Sequence, residues 1–91
     1  MSLTVTGHQI DVTDAIRSAC EKHHQKLSEH FPCIAQTVTF TPERHEFKVH
    51  SEYKTDNGLF IATATNGDLY QALSKISDKL NRQLREAKPK H

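Results

Sequence analysis

Six of the twelve lysines and arginines in this 91-residue chain lie beyond residue 74, and their spacing is helical. Advancing about 100° per residue, Leu69, Leu73, Ile76, Leu80, Leu84 and Ala87 share one face. Lys75, Lys79 and Arg82 fall roughly opposite, and Arg85 and Lys88 continue the basic strip along its flank. From residue 75 onward six bases face two acids, a balance of +4, so the first 74 residues balance to −3 within a net charge of +1. The chemistry of such a row is anion binding, and a basic strip on an otherwise slightly acidic protein points to an anionic partner. The structural alternative is a solvated helix face whose cations complement the negative end of the helix dipole. Lys22 and Lys26, four apart on the outer side of an earlier amphipathic segment, would join the strip if the two helices lie side by side. Two basic ridges with a groove between them match the phosphate rows of a folded RNA better than they match a flat bilayer.

No other chemistry gathers support. The chain has three glycines, all at expected turns, and no Gly-rich phosphate loop. Its two cysteines do not select a base among seven histidines by spacing. Cys20 sits on the apolar side of a predicted helix as a small buried hydrophobe, and Cys33 beside Pro32 is expected to be a free thiol. His45 and His50 are an odd number apart and would point to opposite faces of a strand, while His23 and His24 diverge on a helix, so no metal site is expected. There is no cofactor signature and no pocket motif for a small-molecule substrate. No leading signal-like segment and no apolar run long enough to span a bilayer is found, so a cytoplasmic protein without a membrane partner is expected.

The elements that must hold the basic rows follow from periodicity. Ninety-one residues make one domain, spanning 1–91, in which a sheet covered by helices gives the most economical core. A short strand at 3–6 stops at Gly7, and a helix starts near Thr13 and Asp14 and runs to about His30. Its core positions are Ile16, Cys20, Leu27 and Phe31, with His23 or His24 filling the remaining turn. Three strands follow with period-two alternation. They span 34–41, with Ile34, Val38 and Phe40 inward; 45–54, with Phe47, Val49 and Tyr53 inward; and 59–65, with Phe60, Ala62 and Ala64 inward. Asn57-Gly58 predicts a hairpin in which both central residues take positive φ, and Asp68 with Gln71 predicts a capping box for the last helix. The expected class is α+β, a β-α-β-β-β-α two-layer sandwich with two helices on one face of a four-stranded sheet.

Thr4 to Ile16, Ala62-Thr-Ala, Asp68-Leu-Tyr-Gln-Ala-Leu73 and Asp78-Lys-Leu-Asn-Arg-Gln-Leu84 together resemble the ribosome hibernation promoting factor and protein Y family, also called sigma-54 modulation proteins. The resemblance covers nearly the whole chain and rests on the order and spacing of these pieces. It implies the same β-α-β-β-β-α fold, related in shape to double-stranded RNA-binding domains, and no catalysed reaction. It implies binding to the small ribosomal subunit and its 16S ribosomal RNA in stationary phase or stress. The domain would lie between head and body and block messenger RNA and A- and P-site transfer RNA. Lys79 and Arg82 match the family's basic pair, Lys26 the basic position of the first helix, and Lys88 one near the end. His23 stands where the family usually has Lys or Arg and Glu86 where Lys is common; Lys22 and Arg85 are one residue away from each. His24 replaces a large apolar residue.

The resulting candidate ribosomal RNA contacts are Lys22, Lys26, Lys75, Lys79, Arg82, Arg85 and Lys88. Read as complete, the chain resembles the short type, which acts with ribosome modulation factor to pair 70S ribosomes into 100S dimers. Its Asn-Gly hairpin and Thr-Pro-Glu-Arg turn look more like protein Y, which opposes that pairing. The competing readings are a general double-stranded RNA-binding module acting outside the ribosome and an interaction domain whose basic face meets an acidic protein.

Overall fold

The structure is a computed structural model that describes residues 2–87. Strand β1 (Ser2–Gly7) leads into helix α1 (Asp14–His30), followed by β2 (Ala35–Pro42), β3 (Phe47–Thr55), β4 (Gly58–Asn66) and helix α2 (Leu69–Glu86). The strands form one sheet in the order β1-β2-β3-β4. β1 runs parallel to β2, and the other two pairs are antiparallel. A parallel neighbour requires a crossover, which α1 supplies. The expected two-layer α+β architecture is therefore present, with both helices on one sheet face.

Local chemistry sets the helix limits. Thr13 is the N-cap of α1, its hydroxyl oxygen accepting the Ile16 N–H at 3.2 Å. Asp68 caps α2 by accepting from Tyr70 and Gln71 N–H groups at 2.8 and 3.2 Å. The other half of the expected capping box is replaced: the Asp68 N–H donates to the side chain of Asn66 at 2.8 Å. That leaves Gln71 free of the task.

The core lies between sheet and helices. Val38, Phe40, Val49, Tyr53, Ala62 and Ala64 rise from the sheet against Ile16, Cys20 and Leu27 of α1 and Leu69, Ala72, Leu73, Ile76, Leu80 and Leu84 of α2. Ala62 and Ala64 are small, so the backbone of α2 comes close enough to bury Ala72 and Leu80 completely. A polar chain crosses this core. Ser51 donates to the Thr37 carbonyl at 2.8 Å and accepts from the amide nitrogen of Gln36 at 3.0 Å. The amide oxygen of Gln36 then accepts from His24 Nδ1 at 2.7 Å, which places the histidine proton on Nδ1. Of the two candidate histidines, His24 fills the core position.

Two expectations are corrected. Ile34 precedes the first paired residue of β2 and is 46% exposed; Gln36 takes the inward slot instead, at 5%. The β3–β4 turn has Asp56 and Asn57 as its central residues, with Thr55 paired to Gly58. Positive φ occurs at Gly58 (134°) and not at Asn57. The cause is Thr55, whose hydroxyl accepts the Asn57 N–H and donates to the Gly58 carbonyl, both at 3.1 Å, holding the turn in the ordinary hand.

Candidate RNA-binding surface

The outer flank of α2 carries Lys75, Lys79 and Arg82, all exposed. Lys79 Nζ donates to the Thr63 carbonyl at 2.6 Å, Gln83 Nε2 to the Ile61 carbonyl at 2.9 Å, and Lys75 Nζ reaches the Thr65 carbonyl at 3.5 Å. Four helical residues rise about 6 Å and two strand residues about 6.7 Å, so every fourth side chain meets every second carbonyl. β4 is an edge strand, and these side chains occupy carbonyls that would otherwise template another strand. An ammonium has three hydrogens, so the row keeps donors and charge for an external anion.

Between the helices runs a groove enclosing about 430 Å³. From α1 it receives His23, Lys26, Glu29 and His30, and from α2 Ser74, Ser77, Asp78 and Asn81. Lys22 and Lys26 stand together on the α1 side. The groove expected between two basic ridges is present, but the α2 wall is polar rather than basic, because Lys75 and Lys79 lean over β4. Among the described α2 cations, Arg85 turns toward α1, lining a shallow depression with His30, Phe31 and Asn81. Burial, reinforced by Lys26, lowers the His23 pKa below its ordinary value of 6.5, against a smaller upward pull from Asp78. The groove therefore has one firm cation, Lys26, with the imidazoles of His23 and His30 beside it.

Lys22, Lys26, Lys75, Lys79, Arg82 and Arg85 are thus all exposed on the helical layer, in three groups. Lys88 lies outside the described residues. Ser74, Ser77, Asn81 and Gln83 lie outside the expected contacts; the first three form a polar stripe at helical spacing on the α1 side of α2, and Gln83, four residues after Lys79, continues the row over β4. The thiols offer no nucleophile. Burial raises the Cys20 pKa to about 11, and burial also raises that of Cys33. A reactive cysteine requires the opposite shift. Among the described residues no three His, Cys, Asp or Glu side chains converge as metal ligands. No helix among them is long and apolar enough to cross a membrane.

Comparison with known proteins places this surface in context. Residues 3–91 match the family model described as sigma 54 modulation protein / S30EA ribosomal protein. A ribosome hibernation promoting factor of Azotobacter vinelandii is 35% identical over 91 residues, covering 99% of this chain and 85% of the relative. A ribosome-associated factor Y of Haemophilus influenzae is 32% identical with the same coverage. The ribosome hibernation promoting factor of Escherichia coli is 31% identical, covering 96% of that protein. The fold itself matches the N-terminal domain of Thermus thermophilus protein Y, with a TM-score of 0.88 at 22% identity over 97% of this chain and all of the other. A ribosomal subunit interface protein from Coxiella burnetii gives a TM-score of 0.83 at 24% identity over 94% and 96% of the two chains. With the sequence matches running the length of the fold, the chain belongs to the sigma 54 modulation protein / S30EA ribosomal protein family.

Proposed function

We propose that this chain is a ribosome-associated hibernation factor that binds the small subunit and inhibits translation sterically. The observation that carries the reading is the cationic helical layer, found on a chain whose relatives are named for ribosome hibernation along their whole matched length. Lys22, Lys26, Lys75, Lys79, Arg82 and Arg85 contact phosphates of 16S ribosomal RNA, and Lys88 joins them. The domain occupies the path of messenger RNA and of A- and P-site transfer RNA and catalyses no reaction. It works where ribosomes are, in the cytoplasm, with no cofactor and no small-molecule substrate. Cations presented on a rigid helical layer favour a folded RNA over a disordered polyanion, because the phosphates must match their spacing.

The test is a sucrose gradient of ribosomes with added protein, with and without ribosome modulation factor. The protein should travel with 30S and 70S particles and leave them as salt rises. Growth of the 100S peak with the modulation factor assigns the short hibernation behaviour, and its loss assigns that of protein Y. A plain RNA duplex that strips the protein from ribosomes at equal concentration would replace this reading with a general duplex-binding module.

A further inference from the structure

At the end of the molecule where α1 and α2 finish beside the β3–β4 turn lies a second cavity, of about 200 Å³. Phe31, Pro32, Phe60 and Leu84 form its walls, and Asn57 and Ala87 stand at its rim. Phe31 and Phe60 are half-buried, so each packs one side on the core and leaves ring surface to the cavity. The walls are preformed. Tyr53, fully buried, donates from its hydroxyl to the Phe31 carbonyl at 2.6 Å and fixes the step into Pro32.

The cavity is smaller than the roughly 300–1,000 Å³ that hold drug-sized ligands, which leaves room for a single planar ring. It is also continuous with the proposed RNA surface. His30 lines the groove, the cavity and the shallow step between them, and at that step Arg85 stands beside Asn81 and Phe31. A strand followed along the groove therefore passes a guanidinium just before it reaches an aromatic-walled hole. Aromatic walls stack any base, and an exposed side-chain amide such as that of Asn57 offers both a donor and an acceptor to a base edge.

We infer that this cavity receives one unstacked nucleobase of the bound RNA, with Arg85 on an adjoining phosphate. The inference rests on the RNA-binding reading above and adds a recognition pocket to its electrostatic contacts. An aliphatic side chain of a protein partner would fill the same walls but would gain nothing from Arg85.

Plugging the cavity from its rim tests this without touching the core. Ala87→Trp and, from the opposite rim, Asn57→Trp both substitute exposed residues. Each should keep the wild-type melting temperature and lower ribosome affinity about tenfold, the scale of one lost base stack. Short-wavelength irradiation of the wild-type complex should leave a nucleotide adduct on the peptide carrying Phe31 or Phe60, absent in the plugged variants. Wild-type affinity in both folded variants, or an adduct to a ribosomal protein in place of a nucleotide, would overturn the pocket while leaving the electrostatic reading intact. Failure of the wild-type protein to travel with ribosomes would instead remove the reading beneath it.

Discussion

Lys79 Nζ donates a 2.6 Å hydrogen bond to the carbonyl of Thr63, so one member of the Lys79–Arg82 pair proposed to meet RNA also braces the edge of the sheet. Arg82, three residues on, has the same charge and stands exposed without such a bond among the described residues. The two should separate in a stability measurement. Lys79→Ala should lose about 0.5–1.5 kcal/mol, the net worth of one hydrogen bond, and Arg82→Ala should stay within about 0.5 kcal/mol of wild type. Equal urea midpoints for both variants would show that the brace contributes nothing to the fold.

In binding, by contrast, the two residues should act alike. Lys79→Gln with Arg82→Gln removes two phosphate contacts, and the double variant should leave 70S particles at lower salt. Its dependence of log affinity on log salt should be shallower by about two units of slope. An unchanged slope would mean that neither cation meets a phosphate.

Much of this architecture is legible in local patterns. Asp68 before an apolar stripe, the alternation of Val49 and Tyr53, and the small inward Ala62 and Ala64 each specify their element without help from distant residues. What escapes is decided between elements. Ile34 reads as the first inward residue of a strand, yet it sits beyond the paired region, and Gln36 is drawn inside because His24 and Ser51 satisfy both ends of its amide. The turn at Asn57 escapes because the Thr55 hydroxyl competes with the Asn-Gly preference. Among the site residues, charge and helical period locate the cations but not their direction. The lean of Lys75 and Lys79 over β4 depends on matching the rise of a helix to the rise of a strand, which no single stretch of sequence contains.

The thiols should behave as packing groups. Cys20 is 1% exposed and its pKa is raised to about 11, so an alkylating reagent at neutral pH should modify it only after denaturation. Cys33, half-buried, should react slowly in the folded protein, and a chain alkylated there should still bind ribosomes. Rapid labelling of Cys20 in the native state would contradict the packed core around it.

The buried polar chain predicts a non-additive set of variants. Gln36→Leu strands His24 Nδ1, while Ser51 Oγ keeps its bond to the Thr37 carbonyl, and should cost about 1–3 kcal/mol, the range for one unsatisfied buried group. Adding His24→Leu removes the stranded donor along with its partner, so the double variant should be more stable than Gln36→Leu alone. A double variant that unfolds at lower urea than the single one would mean that the chain stabilises by packing shape and not by hydrogen bonding.

His23 makes the surface sensitive to acid in two opposed ways. Its folded pKa lies below the unfolded value, so the unfolded chain takes up the proton first. Above about pH 6.5 both states are neutral there and the residue gives no pH dependence. As pH falls through 6.5 toward the lowered value, stability declines, and below it the loss is complete. Bound phosphate reverses the preference, because a nearby anion favours the imidazolium against the repulsion of Lys26. Acidification from pH 7.5 to about 6 should therefore tighten ribosome binding while lowering the melting temperature. His23→Gln should abolish both trends at this position. His23→Lys should bind more tightly at every pH, with Asp78 across the groove as its counter-charge. Should the wild-type and His23→Gln proteins show the same pH profile for binding, the groove histidine would not be facing RNA.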